Sequence, residues 1–96
     1  MMGFFDLFKR KKRMTAAERR AFLLLHGRIT DGVIIDQQIN ADGGEVVIFL
    51  YTLNGVDFES AELLDEEQKR DRLKYAPGAK IGVRYDPKNQ GNSTLE

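Results

Sequence analysis

Glu45-Val46-Val47-Ile48-Phe49-Leu50-Tyr51-Thr52-Leu53-Asn54-Gly55-Val56-Asp57-Phe58-Glu59 is the stretch whose reading decides the fold. It reads as a β-hairpin closed at Asn54-Gly55. A two-residue loop that matches strand twist needs φ > 0 at both positions; Asn tolerates that region and Gly adopts it freely. The incoming strand is apolar on both faces, with Val47, Phe49, Tyr51 and Leu53 on one and Val46, Ile48 and Leu50 on the other. Such a run belongs to a strand covered on both sides, central in its sheet. The outgoing strand sets Val56 and Phe58 on one face and Asp57 and Glu59 on the other, so one face is wet. The crowding of β-branched and aromatic residues argues against a buried helix over 45–53.

Upstream of the hairpin, a strand is expected from Arg28 to about Ile39. Ile29, Val33, Ile35 and Ile39 share one parity, and Gly32 marks a bulge or a sharp bend. Asn40 to Gly44 is a turn. Before the strand, Thr15-Ala16-Ala17-Glu18 fits a capping box, with a helix to about His26 and Gly27 as its left-handed terminator. Ala17, Ala21, Leu24 and Leu25, widened by Phe22, form an apolar stripe, and Arg19 and Arg20 fall off it. This helix is expected to pack on the β-body.

Downstream, Ser60 to Leu64 extends the strand or descends into a loop. Asp65-Glu66-Glu67-Gln68 predicts a second helix start, with acids where the dipole favours them and a helix to about Tyr75. Its thin apolar face (Leu64, Leu73, Ala76) predicts a helix resting on the body. Pro77-Gly78 is a turn. Ala79 to Tyr85 alternates Ile81, Val83 and Tyr85 inward with Lys80, Gly82 and Arg84 outward. Asp86-Pro87 stops that strand, Lys88 to Asn92 is a polar turn, and Ser93-Thr94-Leu95 supplies a short edge strand. The fold class is mainly β with accessory helices: a small antiparallel, partly open barrel or rolled sheet of four or five strands. One helix precedes the sheet and one lies between its third and fourth strands; short loops imply mostly meander connections.

Ninety-six residues make one domain at most, and the absence of Cys excludes disulfides and thiolate metal sites. No run approaches the apolar length of a membrane span, and the bases follow the first apolar stretch instead of preceding it as in a secretory signal. The expectation is a cytoplasmic protein. The overall charge of zero hides a split: residues 1–27 hold seven Lys/Arg against Asp6 and Glu18, a net of +5, and residues 28–96 carry −5. This divides the chain into a basic tail, 1–14, and a body, 15–96. In the tail, Met1, Phe4, Phe5 and Phe8 fall at helical spacing, and Lys9, Arg10, Lys11, Lys12 and Arg13 follow.

The ending is recognisable. Tyr75-Ala76-Pro77-Gly78, then Val83-Arg84-Tyr85-Asp86-Pro87-Lys88-Asn89, then Ser93-Thr94-Leu95-Glu96 resembles a family of uncharacterised small bacterial β-domains. Gly27, Gly32-Val33 and the Tyr51 to Gly55 hairpin are similar to that family's first half, and the resemblance covers about 27–96. Gln90 stands where the family commonly has a proline. Many members carry transmembrane helices beside the domain, so the resemblance implies a membrane-proximal role. The family has no assigned function, so no functional residues carry over.

Little in the residues points to catalysis. His26 ends a helix, Asp65, Glu66, Glu67 and Asp71 read as a solvated helix start, and Asp86 caps a turn. The turn between Asp36 and Glu45 lacks the spacing of a calcium loop. No enzyme activity, metal or cofactor is expected. Nucleic-acid binding is disfavoured, because the body is acidic and Phe49, Phe58 and Tyr85 sit on core parities. The sharper expectation is a non-enzymatic binding or scaffold module, peripheral at the inner membrane through Phe4, Phe5, Leu7, Phe8, Lys9, Arg10, Lys11, Lys12 and Arg13. The alternative is a soluble protein–protein interaction domain whose sheet edge pairs with itself or a partner.

Overall fold

The computed structural model describes residues 14–96. Their order is α1 (Ala16–His26), β1 (Arg28–Ile39), β2 (Glu45–Leu53), β3 (Val56–Leu63), α2 (Glu66–Lys69), β4 (Lys80–Asp86) and β5 (Asn89–Leu95). All five strands are antiparallel and stand in the order β3-β2-β1-β4-β5. The sheet rolls into a nearly closed barrel, with β3 brought beside β5.

The hairpin forms as its turn chemistry dictates. Asn54 has φ 52° and Gly55 φ 80°, and the ladder runs in unbroken register from Leu53↔Val56 to Val46↔Leu63. Val47, Phe49, Tyr51 and Leu53 point into the barrel. Inside, the Phe49, Tyr51 and Phe58 rings stack, with centroids 6.0 Å and 5.3 Å apart. β2 is paired on both sides, but the central strand is β1, flanked by β2 and β4.

β1 departs from its expected parity. Ile34 is fully buried, whereas Ile29, Ile35 and Ile39 are exposed. Gly32 pairs with both Tyr51 and Ile81 on the inward row, and the register slips between Ile34 and Asp36. The slip is the bulge that Gly32 announced, displaced by a few residues. Gly32 itself answers a different need: a Cβ there would lie 2.6 Å from Val83 Cγ2 and 3.0 Å from the Leu50 carbonyl oxygen. Counting isoleucines on one parity misleads because the inward row of this strand includes a residue with no side chain.

The connections are not all meander turns. β1, β2 and β3 follow one another, and residues 64–79 then return the chain to the far side of β1. Spatial order 4-1-2-3 is a Greek key, and a five-stranded, partly open Greek-key barrel is the OB architecture. The returning segment holds only one helical turn, α2, where a helix to Tyr75 was expected. Asp65 caps it reciprocally with Gln68, and the Asp71 carboxylate then accepts from Lys74 N, starting a new turn in place of helix. Leu64 and Tyr75 enter the core from the two ends of the segment, and Leu73 is 85 % exposed.

β5 is longer than the short edge strand expected. Asn89 pairs with Asp86 across a two-residue turn whose Lys88 N donates to the Asp86 carboxylate, and Leu95 packs against the core. The Tyr51 hydroxyl donates to the Gln90 carbonyl at 2.6 Å, tying the far side of the barrel to β5.

Gly32→Ala is expected to destabilise the fold by about 1–3 kcal/mol, the usual cost of overpacking a filled site. A urea titration checks this. Gly43→Ala is the comparison, because open space surrounds that position and only its positive φ of 83° opposes the change.

Candidate functional site

The residues singled out from the sequence, Phe4, Phe5, Leu7, Phe8 and Lys9–Arg13, lie outside the described residues. The structure does fix where they attach. The chain enters at Met14, which is exposed, and Thr15 then caps α1. The capping box is complete: Thr15 Oγ1 accepts from Glu18 N at 3.1 Å and the Glu18 carboxylate accepts from Thr15 N at 2.9 Å.

The helix lies on the barrel the other way round from its expected orientation. Leu23 is the one side chain of α1 that is fully buried, and the two residues turned inward beside it are Arg19 and Arg20. The stripe of Ala17, Ala21, Phe22, Leu24 and Leu25 faces away. Gly27 is extended (φ −74°, ψ 160°), not left-handed, and its value lies in close approach. A Cβ there would come within 2.6 Å of the Leu23 carbonyl oxygen and 3.1 Å of that of Tyr85.

Arginine hydrogen bonds set this orientation. Arg19 Nη1 donates to Asn92 Oδ1 and to the Ser93 carbonyl, both at 2.9 Å. Arg20 Nη1 donates to Thr94 Oγ1 at 3.0 Å and to the Leu95 carbonyl. It also lies 3.5 Å from Glu62 Oε2. Glu62, the last inward residue of β3, is 8 % exposed. Its carboxylate accepts from Thr94 Oγ1 at 2.6 Å, Leu95 N at 3.2 Å and Gln68 Nε2 at 2.7 Å. One carboxylate thus joins β3, β5, α1 and α2 where the backbone ladder is missing. Once β3 is extended past Glu59, Glu62 shares the inward parity of Phe58, so its position was readable; its partners Arg20, Thr94 and Leu95, more than thirty residues away, were not.

Beside this network is a groove of about 300 Å³ between α1 and β3, with Ala16, Ala17, Ala61 and Leu63 on its walls. A wider, open concavity of about 600 Å³ lies over the bend of β1, bordered by Asp31, Val33, Thr52 and Lys80. The acidic group of the sequence is dispersed into structural roles. Asp65 caps α2, Asp71 caps the following turn, and Glu66 pairs with Lys69 at 2.9 Å. The Glu66 hydrogen bond and charge hold the Lys69 ammonium above its ordinary range. Among the described residues, no three His, Cys, Asp or Glu converge as a metal site would need. The exposed His26 ring lies against Phe22, 4.9 Å between centroids.

OB barrels bind oligonucleotides and oligosaccharides on the face of strands 2 and 3. Here that face carries Val46, Ile48, Leu50 and Thr52 from β2 and Asp57, Glu59, Ala61 and Leu63 from β3. No Lys or Arg occurs between Glu45 and Leu63. A phosphate backbone would meet carboxylates there without counter-charge.

A model of a family described as a domain of unknown function, DUF3592, matches residues 26–96. The chain belongs to the DUF3592 family. The match begins at His26, so Arg19, Arg20 and nearly all of α1 lie outside the family domain, whereas Glu62, Gln68 and Thr94 lie within it. No curated protein and no solved structure gives a significant match.

Arg20→Ala is expected to cost about 2–3 kcal/mol, since it withdraws a charged donor from a buried carboxylate. Thr94→Val is expected to cost about 1 kcal/mol. A double-mutant cycle of Arg20 and Glu62 by denaturant unfolding reads their coupling. Additive losses would show that the two do not act as a unit.

Proposed function

We propose that this protein is a non-enzymatic binding or scaffold module, held at the anionic inner face of a bacterial membrane by Phe4, Phe5, Leu7, Phe8, Lys9, Arg10, Lys11, Lys12 and Arg13. One observation carries the reading. A leader of three Phe and a Leu followed by five bases runs directly into α1, and Arg19 and Arg20 clamp α1 to the barrel. A leader bound to lipid therefore holds the family domain beside the membrane through a single residue, Met14, and a capped helix.

The magnitudes fit reversible attachment. Burying each Phe is worth roughly 1.5–3 kcal/mol and each base near an anionic leaflet about 1 kcal/mol, offset by the cost of ordering a short helix. The acidic body, −5 over residues 28–96, is repelled by the same leaflet, so the barrel's own surface is not what meets the lipid.

The alternative, a soluble interaction domain that pairs through a sheet edge, meets an obstacle. The two edge strands face each other, and an incoming strand would have to displace Glu62 from Thr94 and Leu95.

Sedimentation of the full chain with vesicles tests the reading. Binding is expected with phosphatidylglycerol-containing vesicles, and it should weaken with salt and be near background on neutral ones. Phe4→Ser, Phe5→Ser and Phe8→Ser together are expected to lower binding more than tenfold. An unaltered chain that stays in the supernatant with anionic vesicles refutes the reading.

A further inference from the structure

The outward face of α1 is a second apolar surface that the barrel does not use. Leu25 is 75 % exposed and Phe22 43 %, and Ala17, Ala21 and Leu24 share the exposed side. Scattered exposed apolar residues are ordinary; a contiguous helical face of them, on a helix that starts two residues beyond a basic leader, calls for a partner. Loose packing does not account for the exposure. Arg19 and Arg20 fix the rotation of the helix about its axis by bonds to Asn92, Ser93, Thr94 and Leu95, which sends the apolar stripe outward.

We infer that α1 lies flat on the bilayer that the leader binds, with Phe22, Leu25 and Leu24 seated at the boundary of headgroups and acyl chains. This rests on the leader's binding to lipid. Three features favour lipid over another occupant. The thirteen residues outside the described structure end at Arg13, with only Met14 before the Thr15 cap of this helix, and five of them are bases whose complement is an anionic surface. The family match begins only at His26, so the leader and nearly all of the helix lie ahead of the matched domain. The outward face is also suited to an interfacial helix, which binds through buried apolar area. Its single acid, Glu18, sits at the first turn with its carboxylate engaged by Thr15 N. At 11 residues the helix offers a strip about 16 Å long.

The chain has no Trp, so a single introduced Trp reports one position. In full-length Leu25→Trp, anionic vesicles are expected to shift the emission to the blue, and brominated acyl chains should quench it. Leu73→Trp, on the returning segment and 85 % exposed, is expected to be unmoved. Phe22→Ser with Leu25→Ser, at exposed positions, should keep the circular dichroism spectrum and weaken vesicle binding about tenfold.

If the chain sediments with vesicles while Leu25→Trp stays silent, the inference is overturned and the leader alone is the anchor. If Leu25→Trp is already blue-shifted without lipid and vesicles do not change it, another part of the chain or a second copy covers the face, and the inference is again overturned. If the full chain does not sediment at all, the reading on which the inference rests has failed first.

Discussion

Glu62 is a carboxylate placed where a nearly closed barrel lacks its last ladder. Removing such a group from water costs several kcal/mol, and it is tolerated only where donors converge on it. Here four donors come from three segments: the Thr94 hydroxyl and Leu95 amide of β5, the Gln68 amide of α2 and the Arg20 guanidinium of α1. Each segment is brought into place by its donors. The side of β5 facing β3 is joined to it without a continuous strand pairing. The returning segment is held over one end of the barrel, and α1 receives both its position and its rotation. An apolar pair at 20 and 62 would close the seam as well by burial, but it would leave the rotation of the helix to the bonds of Arg19 alone. Buried Ser93 Oγ finds no hydrogen-bond partner among the described residues. The carboxylate is satisfied all the same.

What could be read from residues alone was whatever is decided locally. Asn54-Gly55 sets its own turn, Thr15 and Glu18 cap each other, and Ile81 and Val83 alternate on a short strand with nothing to interrupt them. These depend on neighbours within a few positions. The failures share a different cause. The stripe on α1 was expected inward because apolar faces usually are, yet two arginines with distant partners outweigh it. Ile34, not its neighbours Ile29 and Ile35, enters the core because Gly32 hands the inward row to Val83 from the adjacent strand. α2 stops after one turn because Gln68 is shared between its own cap and Glu62, and Asp71 offers the backbone another turn. In each case a tertiary partner overrode a periodicity.

The same division applies to function. Composition located an unusual leader and its charge, properties carried by consecutive residues. The barrel's face of strands 2 and 3 is acidic and aliphatic here, and it offers a phosphate backbone no counter-charge. The leader, the capped helix and the arginines that seat it lie on the N-terminal side of the match.

The partners of α1 also have a consequence for the order of events in folding. Arg19 and Arg20 reach Asn92, Ser93, Thr94 and Leu95 across sequence separations of 73 to 75 residues. The acceptors they need lie on β5, which comes within reach of α1 only once its partner β4 has found β1. Helical turns form in about a microsecond, whereas distant pairings wait on the closure of long loops. Turns of the helix therefore come and go well before it is seated, and the first described element of the chain is among the last to acquire a fixed neighbour.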